Sequence, residues 1–196
     1  MTTSRADIIR RSPSGPIVER LDGGNGNGNG NSGASAVERI GALQAVAPAT
    51  ANGSEFVPIP TGASPPFAPT LEVTFTDVEP DRSILVLGTV TFVGASSGAM
   101  PEIRAELSFD GGVIWNRIAQ SNAFQPPVDG AGNIALSCVS APTFEKVTDL
   151  RARLTWRANM APTGDSPGTD QTFGIDPNGG ADAQIIAAVI KGITRP

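Results

Sequence analysis

The chain has no His and no Tyr, and only one Cys and two Trp in 196 residues. Without His it lacks the side chain that most often moves protons near neutral pH, and the commonest zinc and copper ligand. Most hydrolase and metalloenzyme designs are excluded on that ground, and no catalytic residue, metal or cofactor is expected. The single cysteine, Cys138, forms no internal disulfide, and within the alternating run IALSCVS it reads as a small buried strand residue. A reactive thiolate would want a His or a helix N-terminus beside it. Long apolar runs are missing too. None approaches the ~20 residues of a membrane span, and MTTSRADIIRR is too polar for a signal peptide. Synthesis in a reducing cytoplasm, with no membrane partner, is the expectation.

Charge is sparse, with 14 Lys plus Arg against 19 Asp plus Glu. Residues 1–69 hold five of each sign, so the net charge of −5 belongs wholly to residues 70–196. A nucleic-acid-binding body needs a basic face that displaces counterions. This body has the opposite balance, and nucleic acid is excluded as a partner.

What is abundant is Gly and Pro, 23 and 17 respectively, which leaves little room for long helices. They fall into two groups. Ten Gly and eight Pro lie in residues 1–69, including the tract GGNGNGNGN at 23–31 and the proline-rich stretch PIPTGASPPFAP at 58–69. The first composition behaves as a tether and the second as extended chain. Residues 1–69 are therefore expected to form an arm, and residues 70–196 the folded domain. Two short helices are expected within the arm. Ser4 caps one containing Ile8 and Ile9. Ser35 and Glu38 have capping-box spacing for another over 35–46, with Val37, Ile40 and Leu43 as its stripe. These five apolar residues are candidates for docking on a partner; the bland alternative is a disordered tail with chance helical pattern.

From residue 70 the hydrophobic period is two. Strands are expected at 71–78, 83–93 with Gly88 as a bulge or bend, 102–109, VIWNRIA after a DGG turn, 134–140, 143–147, 150–157 and 183–193. With no helix between them, they predict an all-β fold, an antiparallel β-sandwich of jelly-roll type. The last strand is apolar on both faces, Ile185, Ala187 and Val189 on one and Ile186, Ala188 and Ile190 on the other. Such a strand is either central in the fold or covered by another subunit. Ile186, Ala188 and Ile190 are the subunit-interface candidates.

Three constellations carry polar groups worth weighing. SFDGGVIW at 108–115 resembles the Asp-box hairpin of sialidases and other β-propellers, with Ser108, Asp110, Gly112 and Trp115 at the matching places. It occurs once, without a propeller's repetition or a tyrosine nucleophile, so it reads as a structural hairpin. The acids of DVEPDR at 77–82 lack a calcium-loop pattern and read as a solvated connection, as do Asp165, Asp170 and Asp176. Arg151, Arg153 and Arg157 share one strand face; they either bind phosphate or an acidic partner, or pair with acids such as Glu102 and Glu106 across the sheet.

An arm, a β-sandwich and an apolar closing strand resemble the virion structural proteins of tailed bacteriophages, in particular trimeric jelly-roll proteins that decorate heads or form short fibres and collars. The resemblance rests on ILVLGTVTF at 84–92, the SFDGGVIW hairpin, LRARLTWRANM at 150–160 and the closing AQIIAAVIKGI at 183–193. It implies a non-enzymatic structural protein located in the virion, a homo-oligomer with a trimer favoured, whose arm reaches other virion or capsid proteins. The alternative on the same sandwich is a carbohydrate-binding or adhesion module. Such modules display exposed aromatics, whereas nearly all of the six Phe and two Trp of this body are expected to face inward.

Overall fold

A computed structural model describes residues 19–20, 37–62, 69–95, 99–123, 130–160 and 172–191. The strands, in chain order, are β1 Glu19–Arg20, β2 Val37–Gln44, β3 Ala49–Asn52, β4 Val57–Pro58, β5 Glu72–Val78, β6 Arg82–Phe92, β7 Ala99–Ser108, β8 Asn116–Gln120, β9 Gly132–Val139, β10 Val147–Met160, β11 Thr172–Ile175 and β12 Ala183–Lys191. All named pairings are antiparallel. Sheet 1 has the order β1-β2-β12-β6-β9. Sheet 2 has the order β4-β10-β7-β8, with β5 also on β10, and β11 and β3 form a two-stranded sheet. The all-β antiparallel sandwich expected from the sequence is the architecture found. The helix at Ile8 and Ile9 lies outside the described residues.

Period-two alternation builds the core. Leu71, Val73 and Phe75 are fully buried, as expected from LEVTFTDV, and Ile103, Ala105 and Leu107 of β7 join them. Ile84, Val86 and Val90 of β6 and Ile185, Ala187 and Val189 of β12 belong to the same core cluster. Trp156, Phe173 and Phe92 stack edge to face, with centroids 5.2 Å and 5.4 Å apart, a geometry that suits the ring quadrupoles. Cys138 is half-buried and packs against this core, as its place in the run suggested.

Several expectations are corrected. Residues 37–44 form a strand, not the helix expected over 35–46. β12 offers a full edge to pair with, from Gln184 opposite Gln44 to Ile190 opposite Val37. A helix of about three turns is marginal on its own, so the ladder wins. Residues 37–60, assigned to the arm by composition, thus supply β2, β3 and β4. Gly88 is neither a bulge nor a bend: β6 runs in unbroken register through it, opposite Ile185 on one side and Leu136 on the other. Its missing side chain makes room for Leu154 of the opposite sheet. The strand expected over 143–147 is a connection that enters β10 only at Val147. There Thr143 accepts from the Arg82 N–H (3.2 Å) and donates to the Glu79 carbonyl (3.0 Å), joining two loops.

Candidate interaction surfaces

The hairpin between β7 and β8 is closed by its own side chains. The Ser108 hydroxyl donates to Asp110 Oδ1 (2.6 Å) and accepts from the Gly112 N–H (2.8 Å). Asp110 Oδ1 accepts from the N–H groups of Val113 (3.1 Å) and Ile114 (2.9 Å). The Ile114 N–H first, and then the Ser108 hydroxyl, hold the Asp110 carboxyl below the usual carboxylate range. Gly111 and Gly112 sit at φ +74° and +95°, a region that favours glycine. Trp115 Nε1 donates to the Gly112 carbonyl (2.9 Å), and its ring lies 3.8 Å from the Arg153 guanidinium. The structure thus brings Ser108, Asp110, Gly112 and Trp115 together as one turn.

On the outer face of sheet 2 the arginines of β10 meet acids. Arg153 pairs with Glu106 at 2.8 Å, Arg157 with Glu102 at 2.8 Å, and Arg151 with Glu72 at 3.2 Å and Asp149 at 2.8 Å. Register explains the pairs, since Arg153 lies opposite Glu106 and Arg157 opposite Glu102. The hydrogen bond to Asp149 raises the Arg151 pKa and lowers that of Asp149. Phe56 covers Arg104 at 3.7 Å and Arg157 at 4.4 Å. Of the two readings of the arginine row, pairing across the sheet is the one found. Glu102 and Glu106 are buried beneath this cover.

Two rows across the outer face of sheet 1 are apolar but for Ser137, with the polar row Gln44, Gln184 and Thr89 beside them. Ile40 of β2, Ala188 of β12, Leu85 of β6 and Val139 of β9 lie in one row across four strands. Ala42, Ile186 and Leu87 form the next row, ending at Ser137. Leu87 is 37% and Val139 55% exposed. Ile186, Ala188 and Ile190, singled out from sequence, occupy this face, and the structure adds Leu85, Leu87 and Val139 from neighbouring strands. Of the arm-docking candidates, Ile40 lies on this face, Val37 lies opposite Ile190, and Leu43 packs against the core. Ile8 and Ile9 lie outside the described residues.

Exposed apolar side chains also occur in loops. Phe144 is 96%, Val113 80%, Ile114 61% and Phe109 42% exposed. Phe109 was expected to face inward, but β7 ends at Ser108 and the alternation stops there. Phe144 was expected in a strand and stands in a connection instead. Neither exposure is legible in the local pattern. The acids at 77–82 face a lysine: Lys146 Nζ is 3.0 Å from Asp77 and 3.8 Å from Glu79. Asp176 accepts from the Asn178 N–H at the start of a short 3-10 turn, Pro177–Gly179; Asp165 and Asp170 lie outside the described residues.

No family model matches the chain, and no curated protein matches it. Among solved structures it is similar to the infectious bursal disease virus VP2 subviral particle, at 16% identity and a TM-score of 0.44, over 81% of this chain and 34% of that one. It is similar at the same identity and TM-score to the T=1 particles derived from that virus, over 81% of this chain and 33% of the other. The T13 particle of infectious bursal disease virus matches at 14% identity and a TM-score of 0.39, over 80% of this chain and 36% of that one. The chain spans about a third of the length of these proteins. At that level the likeness carries no function across.

Proposed function

We propose that the protein is a non-enzymatic structural subunit of a phage-like particle, decorating or stabilising the capsid or the head–tail region. Its sandwich associates with copies of itself, a trimer favoured, and its N-terminal segment reaches neighbouring subunits. The observation that carries this reading is the apolar outer face of sheet 1, where Leu87 and Val139 stay exposed beside Ile40, Leu85, Ile186 and Ala188. A contiguous apolar face of this kind is normally covered by a partner, and a second copy offers the same surface about a symmetry axis. The polar groups that looked most like chemistry are engaged elsewhere, the arginines with acids and Asp110 with its own turn.

Sedimentation velocity of the full chain across the micromolar range tests this. A concentration-dependent shift to a trimer is expected; a single monomeric boundary throughout overturns the reading.

A further inference from the structure

We propose that β9 is a docking edge for a second copy of itself, so that two copies join sheet 1 to sheet 1 through antiparallel β9 strands about a two-fold axis. This contact is separate from the apolar face and from the N-terminal segment, and does not depend on either. β9 stands last in the order of sheet 1 and, among the described strands, pairs with β6 alone. The Ser140 N–H donates to the Ile84 carbonyl (2.9 Å), and Leu85 lies opposite Val139. Bonded and non-bonded positions alternate in an antiparallel pair. Even-numbered residues of β9 therefore bond to β6, and the N–H and C=O groups of Asn133, Ala135, Ser137 and Val139 point away from it. No described residue donates to or accepts from these four N–H and four C=O groups.

Sheet edges are usually guarded against strand addition by short length, charge, proline or a bulge. β9 has eight residues, GNIALSCV, with no charge and no proline, and its register on β6 is unbroken. The edges of sheet 2 are guarded by comparison. β4 has two residues, β8 has five with Arg117 exposed among them, and Arg39 donates to the Thr76 and Asp77 carbonyls of β5. A second copy fits the open edge because the edge is self-complementary. With the axis at Leu136, Ala135 meets the partner's Ser137 and Asn133 meets the partner's Val139. Every outward residue then faces an outward residue, and each such pair exchanges both of its N–H···O=C bonds. An axis at Ala135 or Ser137 leaves one of the four unmatched. The facing side chains are uncharged, so no like charges oppose one another. Leu136 packs against the core from a half-buried position, and its symmetry mate covers the side left open. One ladder between two chains is weak by itself, since an isolated two-stranded pair is marginal in water. It joins bodies already formed, at concentrations above those that build a trimer, and gains from repetition of the edge on each body.

The test uses the full chain with Cys138→Ala. Ala135→Cys and Ser137→Cys, both at exposed positions, are placed in two separately purified proteins, which are mixed at high concentration and oxidised. Opposed Cα atoms of a hydrogen-bonded pair are about 5.5 Å apart, within disulfide reach. A covalent dimer with one chain of each kind is expected in large excess over either self-linked dimer. Leu136→Cys alone is expected to link to itself across the axis, and Ala135→Lys/Ser137→Lys added to it should abolish the link, because like charges then stand directly opposite. If trimers form in sedimentation yet neither the mixture nor Leu136→Cys gives a covalent dimer, edge pairing is overturned while the structural reading stands. Links that survive the two lysines, or that show no preference for the mixed dimer, overturn it as well. If the mixture links as expected and sedimentation shows no trimer, edge pairing stands and the face contact falls.

Discussion

A methyl group at position 88 would lie 2.7 Å and 2.8 Å from the two Cδ atoms of Leu154. Both partners sit in a filled core, so Gly88→Ala is expected to lower stability by about 1–3 kcal/mol, the usual range for overpacking. Urea denaturation checks this. Leu154→Val in the same chain should return part of the loss, because the two sites share one contact. Asp110 makes a second residue-scale case. Its folded pKa lies below the unfolded value. The stabilisation it contributes is therefore present above the unfolded pKa of about 4 and is lost as pH falls through the folded value. In Asp110→Asn the melting temperature should fall less between pH 6 and pH 3 than in the parent, as followed by circular dichroism. An equal fall in both proteins would mean that the carboxylate's hydrogen bonds contribute nothing.

At the scale of elements, β5, β6, β7, β10 and β12 were legible because each carries small or apolar residues at every second position over most of its length, on the face that enters the core. β2 was not. Val37, Ile40 and Leu43 stand three apart, a helical spacing, and only the edge of β12 decides for the strand. No local pattern contains that edge. The cross-strand ion pairs were half legible: alternation put Arg153 and Arg157 on one face, and Glu102 and Glu106 across from them, but the burial comes from Phe56, which lies in a stretch that composition assigned to the arm. The consequence for domain limits is direct. A chain beginning at Val37 is expected to keep a cooperative thermal transition. One beginning at Thr70 loses β2, one of the two partners of β12, and the cover of the ion pairs, and should melt without one. Scanning calorimetry on the two truncations separates them; cooperative melting of the shorter chain would put the start of the fold back near residue 70.

For the whole molecule, the two outer faces differ in kind. Sheet 2 presents arginines already paired with acids and capped by Phe56 and Trp115. Sheet 1 presents two rows of apolar side chains, with Leu87 and Val139 open to solvent. Its alternation was visible in the last strand alone, where Ile186, Ala188 and Ile190 stand at every second position. Leu85, Leu87 and Val139 join them only through pairing. The central claim is that copies of the chain meet through this face. Light scattering on the parent chain and on Leu87→Asp/Ile186→Asp tests it most directly. The parent is expected at three times the 20.0 kDa chain mass, and the double variant at the mass of one chain with its circular dichroism unchanged. A parent that stays monomeric, or a folded double variant that stays trimeric, would contradict it.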